Sequence, residues 1–530
     1  MAARQERIDA VDGGAGPEPR GPGPVALESM EQQGVWPPNP LVLEVNTWVW
    51  LADVGRRVGH RVTLDTVPEA EWDSLVVPGL QAVWFMGVWE RSPQGREIAL
   101  ANEDLAAGFR EALPDYGFDD VLGSAYCVRR YEVDERIGGA GGLARARREL
   151  ARRGVRLILD FVPNHLAVDH PWVGEHPEFF LRGTEEELGR EPLSFIRAGS
   201  GGVFANGRDP YFAAWHDVVQ VDAFSPALRA AAAAALIDIA GQCDGVRCDM
   251  AMLLLSDAFV RTWGDRAGVR PETEYWHDVI GAVKAGYPRF LFLAEAYWGT
   301  EERLLGLGFD YCYDKPLYDH LREGDAREVR RRLRSTEAWG SRLVRFIENH
   351  DELRAACAFP AAQGRAAAVA LLTLPGAALL YEGQLEGRRV RMPVFLARGS
   401  EELVCAETRA FYNTLLTLIE RHGIRRGEWA YVPVEGWPDN QSSAALLAWW
   451  WRTADTSLEG AGYVVIVNYS PHPAQGRILL PAAAVTGRAW RLFDHMDGQE
   501  YVRSGDEMGG MGLFVDLGPW QSHLFSLERA

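Results

Sequence analysis

Eight short apolar runs, most of them separated by longer helical patterns, constrain this chain more than any other feature. They are residues 41–48 (LVLEVNTW), 80–87 (LQAVWFMG), 155–162 (VRLILDFV), 244–249 (DGVRCD), 289–296 (RFLFLAEA), 309–314 (FDYCYD), 343–351 (LVRFIENHD) and 377–384 (AALLYEGQ). Helical stretches precede several of them: LARARRELARRG the third, PALRAAAAAALIDIAGQ the fourth, AAQGRAAAVALLTL the eighth. Strands that alternate with helices pair in parallel, because a parallel partner is reached only through a crossover connection. Eight such units over about 390 residues fit an α/β fold, the (β/α)8 TIM barrel.

The punctuation between the runs gives a domain plan. Residues 1–38 are rich in Gly, Pro and charge and are expected to be a disordered N-terminal segment. Residues 39–165 and 226–426 would form the barrel. Between them, 166–225 is full of Pro, Gly and aromatics without a helical period, and reads as a loop-rich insert after strand 3; irregular segments of that length usually serve function. From 427 to 530 the runs turn to period two, as in SAALLAWWWR and GYVVIVNYS, which indicates a C-terminal antiparallel β-sandwich domain.

Composition excludes some partners. A formal net charge of −19 argues against nucleic acid, whose phosphates need a basic patch. No apolar run reaches the roughly 18 residues needed to span a membrane. The six cysteines lack metal-type spacing, and the N-terminus lacks an apolar signal core, so a cytoplasmic location is expected.

In a barrel of this kind chemistry sits at the C-terminal strand ends. Those ends carry Asp160, Asn164 and His165 after the third strand, Arg247 and Asp249 on the fourth, Glu295 on the fifth, and Asn349, His350 and Asp351 on the seventh. Arg247 and Asp249 alternate along one strand face and, taken alone, read as a structural ion pair. A structural reading explains one acidic strand end and fails for four. Crowded carboxylates push their pKa values apart, which lets one act as acid while another stays ionised.

The segments DFVPNH (160–165), GVRCDMAM (245–252), FLAEAYW around Glu295 and FIENHD (346–351) resemble, in order, the four signature segments of the α-amylase family, glycoside hydrolase family 13. The resemblance covers residues 41–530. It implies that Asp249 is the nucleophile of a retaining glycosidase, Glu295 the general acid and base, and Asp351 the residue that binds the distorted sugar. Arg247 would keep Asp249 ionised, and His165 and His350 would bond the same sugar. Tyr126 would stack on that sugar, Asp160 would support Arg247, and Arg354 resembles an arginine found after NHD in oligosaccharide-acting members. The substrate class so implied is an α-linked oligosaccharide or small glucoside.

The departures carry their own expectations. Many starch-degrading members place Lys and His three and four residues after the nucleophile; here stand Met252 and Leu253. No cofactor is therefore expected. Calcium keeps one matching ligand position, Asn164, which reads equally as a backbone-bonding turn residue. An aromatic stretch, 207–217, reads either as an acceptor wall or as the insert's own core, and WWW at 449–451 reads either as a surface sugar site or as strand packing that buries one or two of the rings. Hydrolysis and transglycosylation share the glycosyl-enzyme and differ in what attacks it, so both stay open. A non-catalytic carbohydrate-binding relative would usually have lost one of the three carboxylates.

Overall fold

The computed structural model describes residues 35–199, 201–452 and 462–530, so the first 34 residues of the expected disordered segment lie outside the described residues. Eight parallel strands close into a barrel: β1 (Leu41–Asn46), β2 (Leu80–Met86), β3 (Arg156–Phe161), β4 (Gly245–Cys248), β5 (Leu291–Ala294), β6 (Tyr311–Tyr313), β7 (Leu343–Arg345) and β8 (Ala377–Tyr381). Each lies within one of the eight apolar runs, and each pairs with its neighbours in sequence, β8 closing on β1. The strands are shorter than the runs. The last residues of several runs leave the ladder, and these departing residues include Asp249, Glu295 and Asp351.

Register fixes which side chains share a layer. Arg247 on β4 lies level with Asp160 on β3 and Leu293 on β5, while Glu44 on β1 lies level with Trp84 on β2 and Tyr381 on β8. Helix ends are capped locally, which holds the strand-to-helix turns in place. Asn46 accepts from Val49 N–H at the start of helix Thr47–Val58, and Gly59 ends it at φ 81°. Ser225 and Pro226 start the Ala-rich helix Pro226–Ala240 that leads into β4.

The insert after β3 is more regular than its composition suggests. Strands His165–Ala167, Trp215–Gln220, Gly202–Gly207 and Phe195–Ala198 form a four-stranded sheet in that spatial order. Short strands interrupted by Gly and Pro leave no long alternation to read. A second excursion, after β2, pairs Trp89–Arg91 with Val128–Val133 and brings Tyr126 to the barrel mouth.

The C-terminal domain packs a six-stranded and a three-stranded antiparallel sheet together. Of the two readings of 449–451, the surface sugar site does not form: all three rings are buried. Strand alternation explains the pattern. Trp449 and Trp451 pack on the barrel's core, with Trp451 Nε1 donating to Thr373 O at 2.6 Å, while Trp450 fills the sandwich. These tryptophans fasten the two domains together. All six cysteines are unpaired. Among the described residues no helix is long and apolar enough to cross a membrane.

Candidate active site

The site begins with a buried cation. Arg247 is fully enclosed, its guanidinium carbon lying 5.2 Å from the Trp84 ring, 5.1 Å from Tyr126 and 5.8 Å from Tyr313. Such a charge is tolerated only when paired, and aromatic faces stabilise it further. One terminal nitrogen donates to Asp249 Oδ1 at 2.6 Å. The other lies 2.8 Å from Glu295 Oε2, as an ion pair outside hydrogen-bond alignment. Arg247 thus bridges two carboxylates, whereas the sequence suggested Asp249 alone.

Glu295 is held from both sides: Met250 N–H donates to Oε2 at 2.6 Å, and the Tyr297 hydroxyl to Oε1 at 2.8 Å. Met250 adopts φ 45°, and Trp298, three residues after Glu295, φ 61°. Left-handed backbone at non-glycine residues is strained and often found at functional sites. At Met250 that conformation accompanies the N–H bond to Glu295.

The electrostatics differ among the carboxylates. Burial drives the Asp249 carboxyl up to about 7; Arg247 opposes this, and the Glu295 and Asp351 charges add to it. Asp351 keeps a side chain 43% exposed at the mouth, and His350 Nε2 lies 3.1 Å from its Oδ2. Burial of its surroundings would raise Asp351, but the neighbouring imidazolium outweighs it and holds the carboxyl below the ordinary range. Asp160 is pushed up to about 6 by burial, against the opposing Arg247 charge. Its oxygens accept from Trp84 Nε1 (3.1 Å) and Gly87 N–H (3.0 Å), so Asp160 ties the end of β2 and is not hydrogen-bonded to Arg247.

The structure brings Tyr126, Asp160, Arg247, Asp249, Glu295, His350 and Asp351 to one mouth. Tyr126 stacks on His350 with ring centres 5.3 Å apart, and its hydroxyl meets Nε2 at 2.8 Å. His165 adjoins Tyr126 through its main chain, and burial lowers the imidazole to about 4, so it is neutral near pH 7. Its ring packs on Trp215, 5.0 Å away.

Arg354 does not join this group as expected. It is buried, with Nη1 at 2.9 Å from Glu348 Oε1 and 2.8 Å from Glu382 O. A carboxylate six residues upstream claims it, and sequence spacing alone does not reveal that. Asp120, in the excursion after β2, pairs with Arg398 at 2.7 Å.

Sequence reasoning missed Glu44, whose Oε1 lies 2.5 Å from His350 Nδ1, and Tyr297. The signal for Glu44 was available: a lone acid inside the apolar run LVLEVN. The 207–217 stretch divides its roles. Asp209 is buried and accepts from Tyr211 and Phe212 N–H, closing a turn. That turn exposes Tyr211 and Phe212, and the Tyr211 ring meets Trp298 edge-on at 4.9 Å.

Asn164 is the one position that matches a calcium ligand of the resembled family, and the residues around it do not fit the ion. Gln220 Nε2 donates to Asn164 Oδ1 at 3.1 Å, while Asn164 Nδ2 faces Gln220 Oε1 and His165 Nδ1, each at 3.3 Å. Two amides and an imidazole that satisfy one another are not the carboxylate-rich oxygen set that calcium takes. Among the described residues, the three-residue cluster with suitable ligand spacing is Asp494, Asp497 and His523, in the C-terminal domain.

A closed barrel, a sheet-bearing insert after β3, a C-terminal sandwich and acidic groups just past the C-terminal ends of β4, β5 and β7 make up an α-amylase-like architecture. The chain is 28% identical over 273 residues to the α-amylase MalA of Haloarcula japonica, a match covering 49% of this chain and 36% of that relative's length. No family model matches. Among solved structures, the noncanonic maltogenic α-amylase AmyB of Thermotoga neapolitana superposes with TM-score 0.66 at 18% identity, over 93% of this chain and 99% of that one. The α-amylase of Geobacillus thermoleovorans, solved with acarbose, gives TM-score 0.64 at 17% identity, over 94% and 99%. The likeness to the α-amylase family is thereby shown in sequence and in fold.

Proposed function

We propose that this protein is a retaining α-glycosidase that cleaves α-glucosidic bonds of short oligosaccharides or small glucosides. The observation that carries the reading is the single buried guanidinium of Arg247 bridging Asp249 and Glu295. One guanidinium reaching both carboxylates favours the close spacing of retaining pairs, about 5–5.5 Å, over the wider spacing of about 6.5–9.5 Å that leaves room for a water in inversion.

In this reading the ionised Asp249 attacks the anomeric carbon while Glu295 delivers a proton to the departing oxygen. Glu295 then removes a proton from the incoming water, which displaces Asp249 and returns the product with its original configuration. Asp351, exposed at the mouth, accepts from sugar hydroxyls. His350 and Tyr126 line the same subsite. The reading draws its substrate class from the α-amylase relatives, and its preference for short substrates from the leaving-group side. At the positions where the resembled family carries a lysine and a histidine for that side, this chain has Met252 and Leu253, both buried.

A second reading, transfer to a sugar acceptor, is favoured by one observation. Trp298, 41% exposed and three residues after Glu295, and Tyr211, 57% exposed, give a sugar face a surface to stack on. Incubating the protein with a panel of α-glucosides and resolving products by chromatography tests both. Released monosaccharide supports hydrolysis, and larger new sugars support transfer. No turnover of any α-linked substrate would overturn the proposal.

A further inference from the structure

We propose that Glu44, on the first barrel strand, is a positioning residue: its carboxylate makes His350 a hydrogen-bond donor at both ring nitrogens, which leaves the Tyr126 hydroxyl free to donate into the substrate mouth. The inference rests on the glycosidase reading for its consequence, and on geometry alone for its premise. Glu44 is 0% exposed inside the barrel, level with Trp84 and Tyr381. Its Oε1 sits 2.5 Å from His350 Nδ1, and its Oε2 has no hydrogen-bond partner, so its polar commitment is to the imidazole.

An ionised carboxylate only accepts, so Nδ1 must carry a hydrogen. On the far side of the ring, Nε2 faces the Asp351 carboxylate at 3.1 Å and the Tyr126 hydroxyl at 2.8 Å. A second carboxylate there, paired with the ring as an ion pair, favours a hydrogen on Nε2 as well. An imidazole carrying both hydrogens is a cation. Tyr126 then accepts from it, and the phenol's own hydrogen is left over. Tyr126 is half-buried at the mouth, where a sugar hydroxyl is the group to receive it.

The other charged groups facing this pair are already engaged. Asp160 is taken by Trp84 and Gly87, Glu348 by Arg354, and Arg247 by Asp249 and Glu295. Glu382, Tyr313 and Tyr381 complete the shell around Glu44. Burial would lower the His350 pKa, but Asp351 and Glu44 outweigh it and push it up to about 10.

The test is the nitrogen NMR titration of His350 in the full chain, assigned by the resonance lost in His350→Asn. In the wild type both ring nitrogens should stay protonated past about pH 8, against an ordinary histidine midpoint of about 6.5. In Glu44→Gln the ring should lose one proton near neutrality. In parallel, kcat/KM of Glu44→Gln should develop a new alkaline limb, with a loss of about 10- to 100-fold at pH 8 and a smaller loss at pH 6. A wild-type His350 that titrates near its ordinary value overturns the proposal, and this reading does not depend on the Glu44→Gln variant. So does a Glu44→Gln protein whose titration or pH profile superimposes on the wild type. Because the titration is read without substrate, absence of glycosidase activity would sink the functional reading and leave this one standing.

Discussion

Asp249 and Glu295 are asked to do opposite things with a proton while sharing one arginine. Asp249→Asn should lower kcat by roughly 10⁴-fold or more with the fold intact, as removal of a nucleophile does. Glu295→Gln should lose less on aryl glycosides whose leaving group needs no proton. The elevated Asp249 pKa adds a directional prediction. Catalysis needs the ionised carboxylate, so kcat/KM should rise with pH through an acid limb near 7. At this scale the sequence was informative wherever a polar residue broke an apolar run. Arg247, Asp249, Glu295 and Asp351 were legible for that reason, and Glu44 was equally visible but passed over. What the sequence did not disclose is sharing. Nothing in GVRCD says that the arginine also reaches a residue on the next strand.

Among the elements, the eight strands were legible because buried parallel strands are continuous apolar runs and their crossover helices are long. The insert's sheet was not, since its strands are short and broken by Gly and Pro. Arg354 shows how local packing overrides a motif: the turn after β7 folds it back onto Glu348 and away from substrate. Arg354→Ala leaves a buried carboxylate unpaired, and should cost about 3–5 kcal/mol in urea unfolding while activity per folded molecule changes little. Intact stability with a collapsed kcat/KM would return Arg354 to the substrate. In the insert, the Asn164–Gln220 pairing predicts that a chelator changes neither activity nor thermal midpoint. Strong inhibition reversed by added calcium would contradict it.

On the scale of the whole molecule, the barrel supplies rigid strand ends, the insert and the β2 excursion supply the walls, and the C-terminal sandwich braces the barrel through Trp449 and Trp451. In the proposed mechanism this scaffold presents Asp249 to the anomeric carbon. The most direct measurement is mass mapping of the Glu295→Gln protein after brief exposure to an α-glucosyl fluoride. The fluoride departs without an acid, whereas water lacks a base to release the glycosyl-enzyme. One hexosyl residue is expected on the peptide containing Asp249, and none in the Asp249→Asn, Glu295→Gln double variant. A hexosyl group on another carboxylate, or fluoride release with no adduct and an inverted first product, would contradict it.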